Sequence, residues 1–185
     1  MNQVIALVGM CGSGKSVCCE EFQKRGWDYV YFGGVTMQEL EKRGLERNEQ
    51  NERFCREELR RIYGPAAFAI LLKPQIEEKL NENHVCLDGL YSWSEWKVLK
   101  EAFGERLTVL AIVTERKKRY ERISKRVIRP LTPQEAQSRD FAEIENMEKG
   151  GPIAMADLFL FNDGDIDSFR ADTQRLIDRA EKNEL

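Results

Sequence analysis

The 185-residue chain has one histidine, and its five cysteines show no C-x-x-C spacing, so no Cys/His set for a structural zinc can be assembled. It also lacks a charge excess: 29 Lys and Arg stand against 32 Asp and Glu, a formal net charge of −3. Such a balance gives no overall attraction for a nucleic-acid backbone or an anionic membrane, so neither is an expected partner and any basic site has to be local. Long apolar runs are missing too. Val4 to Val8 is far too short to span a bilayer, and with no basic flank or small-residue cleavage site it does not read as a secretion signal. A cytoplasmic protein is expected, with Cys11, Cys18, Cys19, Cys55 and Cys86 reduced and half-buried. There is no repeat, low-complexity tract or linker. With 42% hydrophobic and 33% charged residues, the chain reads as one globular domain over 1–185.

What is present is an alternation. Val4 to Val8 is an unbroken apolar run ended by glycine, the pattern of a central parallel strand buried on both faces. A helix is expected from Lys15 or Ser16 to about Lys24, and a second strand from Trp27 to Phe32, closed by Gly33-Gly34. Charged helical stretches follow at Thr36 to Arg43 and Asn48 to Tyr63, then, after Gly64-Pro65, to about Asn81. Val85 to Leu87 running into Asp88 is a third strand, Ser92 to Phe103 a helix, and Leu107 to Val113 a fourth strand. Glu115 to Arg126 and Glu135 to Lys149 read as helices, Leu158 to Phe161 as a fifth buried strand, and Ile166 to about Lys182 as a terminal amphipathic helix. Strands alternating with helices specify a parallel sheet covered on both faces.

Between the first strand and the first helix lies Gly9-x-x-x-x-Gly14-Lys15-Ser16, the Walker A pattern in the context it requires. Its glycines let backbone N–H groups and the helix N-terminus hold a β-phosphate. Lys15 reaches the β and γ oxygens, and the Ser16 hydroxyl ligates Mg²⁺. Gly9, Cys11, Gly12, Ser13, Gly14, Lys15, Ser16 and Val17 are therefore the expected ATP contacts, with Cys11 open to oxidation because it sits in the loop. Asp88, ending the third strand at the carboxyl edge of the sheet, is placed to complete the Mg²⁺ shell, although an Asp before Gly is also a good turn residue.

The most basic stretch runs from Arg116 to Arg129. Arg119, Arg122, Arg126 and Arg129 recur at spacings of three, four and three, which puts their guanidinia along one side of a helix and its exit, with Tyr120, Ile123 and Val127 on the other. Such a row suits a migrating phosphoryl group; a solvated helix face is the plain alternative. Arg139 could add a guanidinium from the far side, or form a surface pair with Asp140. His84 precedes the third strand and is not a catalytic candidate. Trp93 and Trp96 could wall a pocket or belong to the core.

With "GMCGSGKS", "FGGV", "EELRRIYGPAA", "CLDGLYS", "RYERISKR", "SRDFAEIE" and "ADLFLFNDG" in place, the chain resembles, nearly end to end, the P-loop nucleoside monophosphate kinase superfamily. Within it the likeness is to small adenylate-kinase-related or dephospho-CoA-kinase-like proteins. The resemblance implies a three-layer α/β/α P-loop kinase fold with a five-stranded parallel sheet and an Arg-rich LID over about 116–140. It implies that Asn162 to Gly164 lie beside the adenine of ATP, that Arg119 joins the ATP site, and that Arg122 and Arg126 act with Lys15 and Asp88 in catalysis. The helical region over about 34–81 becomes the acceptor side. Arg56, Arg60 and Arg61 are its candidate phosphate contacts, and Gly34, Thr36, Tyr91 and Arg139 further acceptor candidates. The pattern also breaks: the usual Gly-Asp and following arginine after strand two are replaced by Gly33-Gly34-Val35-Thr36-Met37, and the arginine that often follows the Asp-Gly of strand three is Tyr91.

A phosphate acceptor needs arginines and no base; a hydroxyl acceptor needs a carboxylate within reach of its proton. Dephospho-CoA kinases carry an aspartate at the end of strand two, where this chain has Tyr31-Phe32-Gly33-Gly34. The expectation is therefore an ATP- and Mg²⁺-dependent kinase acting on a nucleoside monophosphate-like acceptor, as a monomer or homodimer. A dephospho-CoA kinase-like or other small-molecule hydroxyl kinase stays open, as does an ATP-binding sensor or accessory protein with weak ATPase activity. The Asn-Lys-x-Asp of a GTPase is absent.

Overall fold

Every residue of β1 (Val4–Val8) is buried because successive side chains enter different cores. Val4, Ala6 and Val8 join one apolar cluster, and Ile5 and Leu7 join another on the opposite face. The same parity runs through β4 (Leu107–Val113), whose Leu107, Val109 and Ala111 face the first cluster and whose Leu110 and Ile112 face the second. These relations come from a computed structural model that describes residues 1–127 and 130–185. Arg129, the last member of the expected arginine row, lies outside the described residues.

With β2 (Asp28–Tyr31), β3 (Val85–Asp88) and β5 (Leu158–Phe161), the strands form one parallel sheet in the order β2-β3-β1-β4-β5. One face is covered by α2 (Gly34–Lys42), α3 (Glu49–Tyr63), α4 (Ala67–Glu82) and α5 (Trp93–Phe103). The other is covered by α1 (Lys15–Lys24) and α9 (Ile166–Glu181), with Phe22, Phe169 and Ile177 at its centre. Full burial of Phe22 contributes about 2–3 kcal/mol of apolar transfer. Caps set the helix starts: Asn48 caps α3, and Ser92 with Glu95 forms a capping box on α5. No helix among the described residues is long and apolar enough to cross a membrane.

Several expectations are corrected. The fifth strand is an edge, paired with β4 alone among the described residues, so Phe159 and Phe161 are exposed and Leu160 alone of the strand is buried. Gly33 and Gly34 open α2 rather than closing a strand. α6 (Arg116–Ser124) stops short of Arg126. α7 (Pro133–Glu145) ends well before Lys149, because Glu148 turns into the left-handed region at φ 53° and the Lys149 N–H returns to the Glu143 carbonyl at 3.1 Å. Gly150 to Ala154 then form the short α8. The five cysteines are buried rather than half-buried, and all are free.

Candidate active site

The loop from Gly9 to Gly14 joins β1 to α1 at the carboxyl edge of the sheet, and its course depends on glycine. Gly14 sits at φ 104°, and a Cβ there would lie 2.2 Å from the Asn162 amide nitrogen. That amide donates to the Ser13 carbonyl at 2.8 Å, so Asn162 clamps the loop. The first turn of α1 has no side-chain cap and no acidic residue, leaving its amides and positive dipole end toward the loop. Lys15 Nζ folds back to donate to Gly9 O at 2.7 Å and Met10 O at 3.2 Å. Burial of the ammonium, then the Lys149 charge, lower its pKa to about 8 against the upward pull of Glu143 and Asp88. The Ser16 side chain is exposed at the start of the helix. Asp88 is in register with Leu7 on the adjoining strand, and its Oδ2 accepts from the Tyr29 hydroxyl at 2.8 Å.

Of the expected row, Arg119, Arg122 and Arg126 all meet the phosphate loop or the Asn162 that clamps it, each in a different way. Arg119 points inward: its guanidinium meets both oxygens of Asp140 at 2.8 and 2.6 Å and donates to the Cys11 carbonyl at 3.0 Å. Asp140 is therefore the buried partner of Arg119, not a surface partner of Arg139, and Arg119 braces the loop instead of presenting itself to a ligand. Arg122 Nη2 donates to the Asn162 carbonyl at 2.9 Å, while its buried Nη1 has no partner among the described residues. Arg126 Nη1 lies 3.6 Å from Cys11 Sγ. Arg122 and Arg126 thus stay beside the phosphate loop. Asn162, expected beside adenine, has its amide committed to the loop. The Gly164 end of that turn has open space around it, and Val17 packs partly against the α1/α9 core.

Beside the loop, on the α2/α3/α7 side, lies a cavity of about 330 Å³. Five acceptor candidates expected from sequence line it together: Thr36, Arg56, Arg60, Tyr91 and Arg139. Gly34 does not; its neighbour Gly33 takes that place. Arg61 points outward, paired with Glu58 at 2.9 Å. Within the wall, Arg56 contacts Glu49 at 2.8 Å and Glu52 at 3.5 Å. Arg60 is different. It lies 5.0 Å over the Phe68 ring, burial lowers its pKa against the upward pull of the Glu95 charge, and no ion pair to it forms among the described residues. A desolvated, unpaired guanidinium on an aromatic face attracts an anion.

Lys149, Glu143 and Tyr31 also line the cavity, and none of them is among the site residues expected from sequence. Lys149 arrives through the left-handed Glu148, which helical periodicity does not anticipate. Its ammonium is buried, 2.8 Å from Glu143 and 5.3 Å from the Tyr91 ring centroid. Glu143 Oε2 also accepts from the Cys11 N–H at 3.2 Å. Burial pushes the Glu143 carboxyl up, but Lys149, Lys15 and Arg139 outweigh it and hold the net pKa below the usual value. Trp93 and Trp96 stack on each other at 4.6 Å outside the cavity, and His84 stacks on Trp27.

The family described as an AAA domain matches residues 5–143. A UPF0200 protein of Thermococcus kodakarensis is 34% identical over 179 residues, covering 95% of this chain and 96% of its own. Another, from Pyrococcus abyssi, is 34% identical over 178 residues, 94% of this chain and 95% of its own. Among solved structures, the dephospho-CoA kinase from Campylobacter jejuni is similar with a TM-score of 0.60 over 100% of both chains at 19% identity. TT1252 from Thermus thermophilus gives 0.59 over 96% of this chain and 97% of that one, also at 19%. At these identities the likeness is one of fold: the three-layer α/β/α arrangement of P-loop kinases around a five-stranded parallel sheet.

Proposed function

Since the chain belongs to the AAA domain family of P-loop proteins and to the UPF0200 proteins, we propose that it is an ATP-dependent phosphotransferase with a nucleoside monophosphate-like acceptor. The observation that carries this reading is the adjacency of two unlike anion sites. One is a phosphate loop with its lysine; the other is a cavity holding the unpaired Arg60, together with Arg56 and Arg139. A donor phosphate on the loop and an acceptor phosphate at Arg60 face each other across the Lys15 and Glu143 region.

In the proposed reaction an oxygen of the acceptor phosphate attacks the γ-phosphorus in line. The bond from that phosphorus to the β–γ bridging oxygen breaks, and ADP leaves with the electron pair. Lys15, Arg122 and Arg126 spread the charge of the transferring group. A hydroxyl and a carboxylate, Ser16 and Asp88, fit a hard divalent cation. Mg²⁺ held there would neutralise phosphate charge.

Transfer to a hydroxyl, the chemistry named for the Campylobacter jejuni fold relative, fits less well. It would need a carboxylate free to take the hydroxyl proton, but Glu49 and Glu52 contact Arg56, and the guanidinia of Arg56, Arg60 and Arg139 suit an acceptor that is already an anion. The test is label transfer from γ-labelled ATP to a panel of nucleoside monophosphates, dephospho-CoA and small alcohols. Label in a nucleoside diphosphate supports the reading; label in an alcohol ester or only in inorganic phosphate rejects it.

A further inference from the structure

Glu143 does what a phosphate would be expected to do at this loop. Its carboxylate accepts from the Cys11 amide at 3.2 Å, contacts Lys149 Nζ at 2.8 Å and reaches Arg139 Nε at 3.5 Å. Cys11 lies on the segment whose N–H groups form the anion nest between Gly9 and Lys15. Both members of the Glu143–Lys149 pair are buried, at 5% and 3% side-chain exposure. A buried ion pair stabilises a fold poorly compared with apolar packing of the same volume, so its presence here calls for another role. The backbone is also bent to supply it: Glu148, a non-glycine residue at φ 53°, precedes Lys149, and the Lys149 N–H closes on the Glu143 carbonyl. Lys149 then lies between the two sites, its ammonium against Glu143 on the loop side and 5.3 Å from the Tyr91 ring on the cavity side.

Resting on the phosphotransferase reading, we propose that Glu143 is an internal stand-in for the γ-phosphate, and that its displacement by nucleotide releases Lys149 as a catalytic cation for the transferring phosphoryl group. No bond is made or broken in the exchange. The carboxylate gives up the Cys11 N–H and the Lys149 ammonium, a γ-phosphate oxygen takes them, and Lys149 follows the phosphoryl group toward the acceptor. Glu143 is the positioning residue: it holds Lys149 aimed while the loop lacks a γ-phosphate, and it discriminates between nucleotides that have that group and nucleotides that do not.

The experiment compares ATP and ADP affinities, each with Mg²⁺, by titration calorimetry on the wild-type chain, Glu143→Gln and the neutral double variant Glu143→Gln/Lys149→Gln. The double variant leaves no buried charge unpaired and serves if the single one fails to fold. Glu143→Gln should raise the preference for ATP over ADP on the order of 10-fold, because only the γ-phosphate competes with the carboxylate. The double variant should lose that preference, since the released cation is gone. Lys149→Arg should keep more acceptor-dependent turnover than Lys149→Met, which should lose on the order of 100-fold. Equal shifts in ATP and ADP affinity in both variants would overturn the proposal. Wild-type protein that binds neither nucleotide would instead defeat the phosphotransferase reading, before any variant is compared.

Discussion

Arg119 and Asp140 meet as two parallel forks, nitrogen to oxygen at 2.8 and 2.6 Å, and the same guanidinium reaches the Cys11 carbonyl of the phosphate loop at 3.0 Å. The pair joins α6 to α7 and fixes both against the loop. An arginine that spacing alone would assign to a ligand is thereby part of the frame that holds the ligand site.

Asp140→Ala should leave the Arg119 charge buried without its partner and cost about 3–5 kcal/mol. Urea denaturation measures this directly. A loss below about 1 kcal/mol would mean that the pair is solvated, as an exposed ion pair is.

The lowered pKa of Lys15, about 8, sets a pH dependence. Above pH 8 the free protein increasingly holds a neutral amine, and a bound phosphate raises the pKa again, so nucleotide binding at pH 9 should take up a proton and weaken as pH rises further. Calorimetry in two buffers of different ionisation heat reads the uptake. Lys15→Met should abolish it, and Lys15→Ala should lower turnover by orders of magnitude with the melting temperature little changed.

Arg60→Met keeps the aliphatic packing on Phe68 and removes the unpaired charge. Acceptor KM should rise at least about tenfold, the scale of one lost charge-assisted hydrogen bond, with ATP affinity unaltered. A change in ATP affinity alone would move Arg60 out of the acceptor site.

Glu95 is fully buried in the capping box of α5, its Oε2 accepting from Tyr91 N and Ser92 N while Oε1 has no partner among the described residues. Burial raises its carboxyl to about 7 from 4.5. The folded state therefore favours the protonated form, and the contribution of Glu95 to stability is lost as pH rises from 4.5 through 7. Glu95→Gln keeps an oxygen acceptor without the charge, so its stability relative to wild type should climb over that window and level off above it, by on the order of 3 kcal/mol. Denaturation at pH 5 and pH 8 checks the sign; a constant difference would contradict it.

The fold was legible where local pattern and environment agree. β1 and β4 match their apolar runs because each is buried on both faces. The phosphate loop declared itself through glycine spacing between a strand and a helix. Five cavity residues are also named from sequence: Arg139 from its place beyond the basic segment, and Thr36, Arg56, Arg60 and Tyr91 with the resemblance. What was hidden depends on direction. Spacing put Arg119 on a helix side but could not say that Asp140 faces that side from another helix. Leu158 to Phe161 reads as a buried strand because apolarity does not reveal that it ends the sheet order as an edge. Lys149 was invisible because a left-handed turn at Glu148, not a repeat, carries it into the site.

The most direct test of two adjoining anion sites is the rate of ADP release from MgATP by the wild-type chain, measured with and without each nucleoside monophosphate. One acceptor should raise the rate by at least about a hundredfold over water, the range that positioning and electrostatic stabilisation supply. A rate that no acceptor changes would contradict the account.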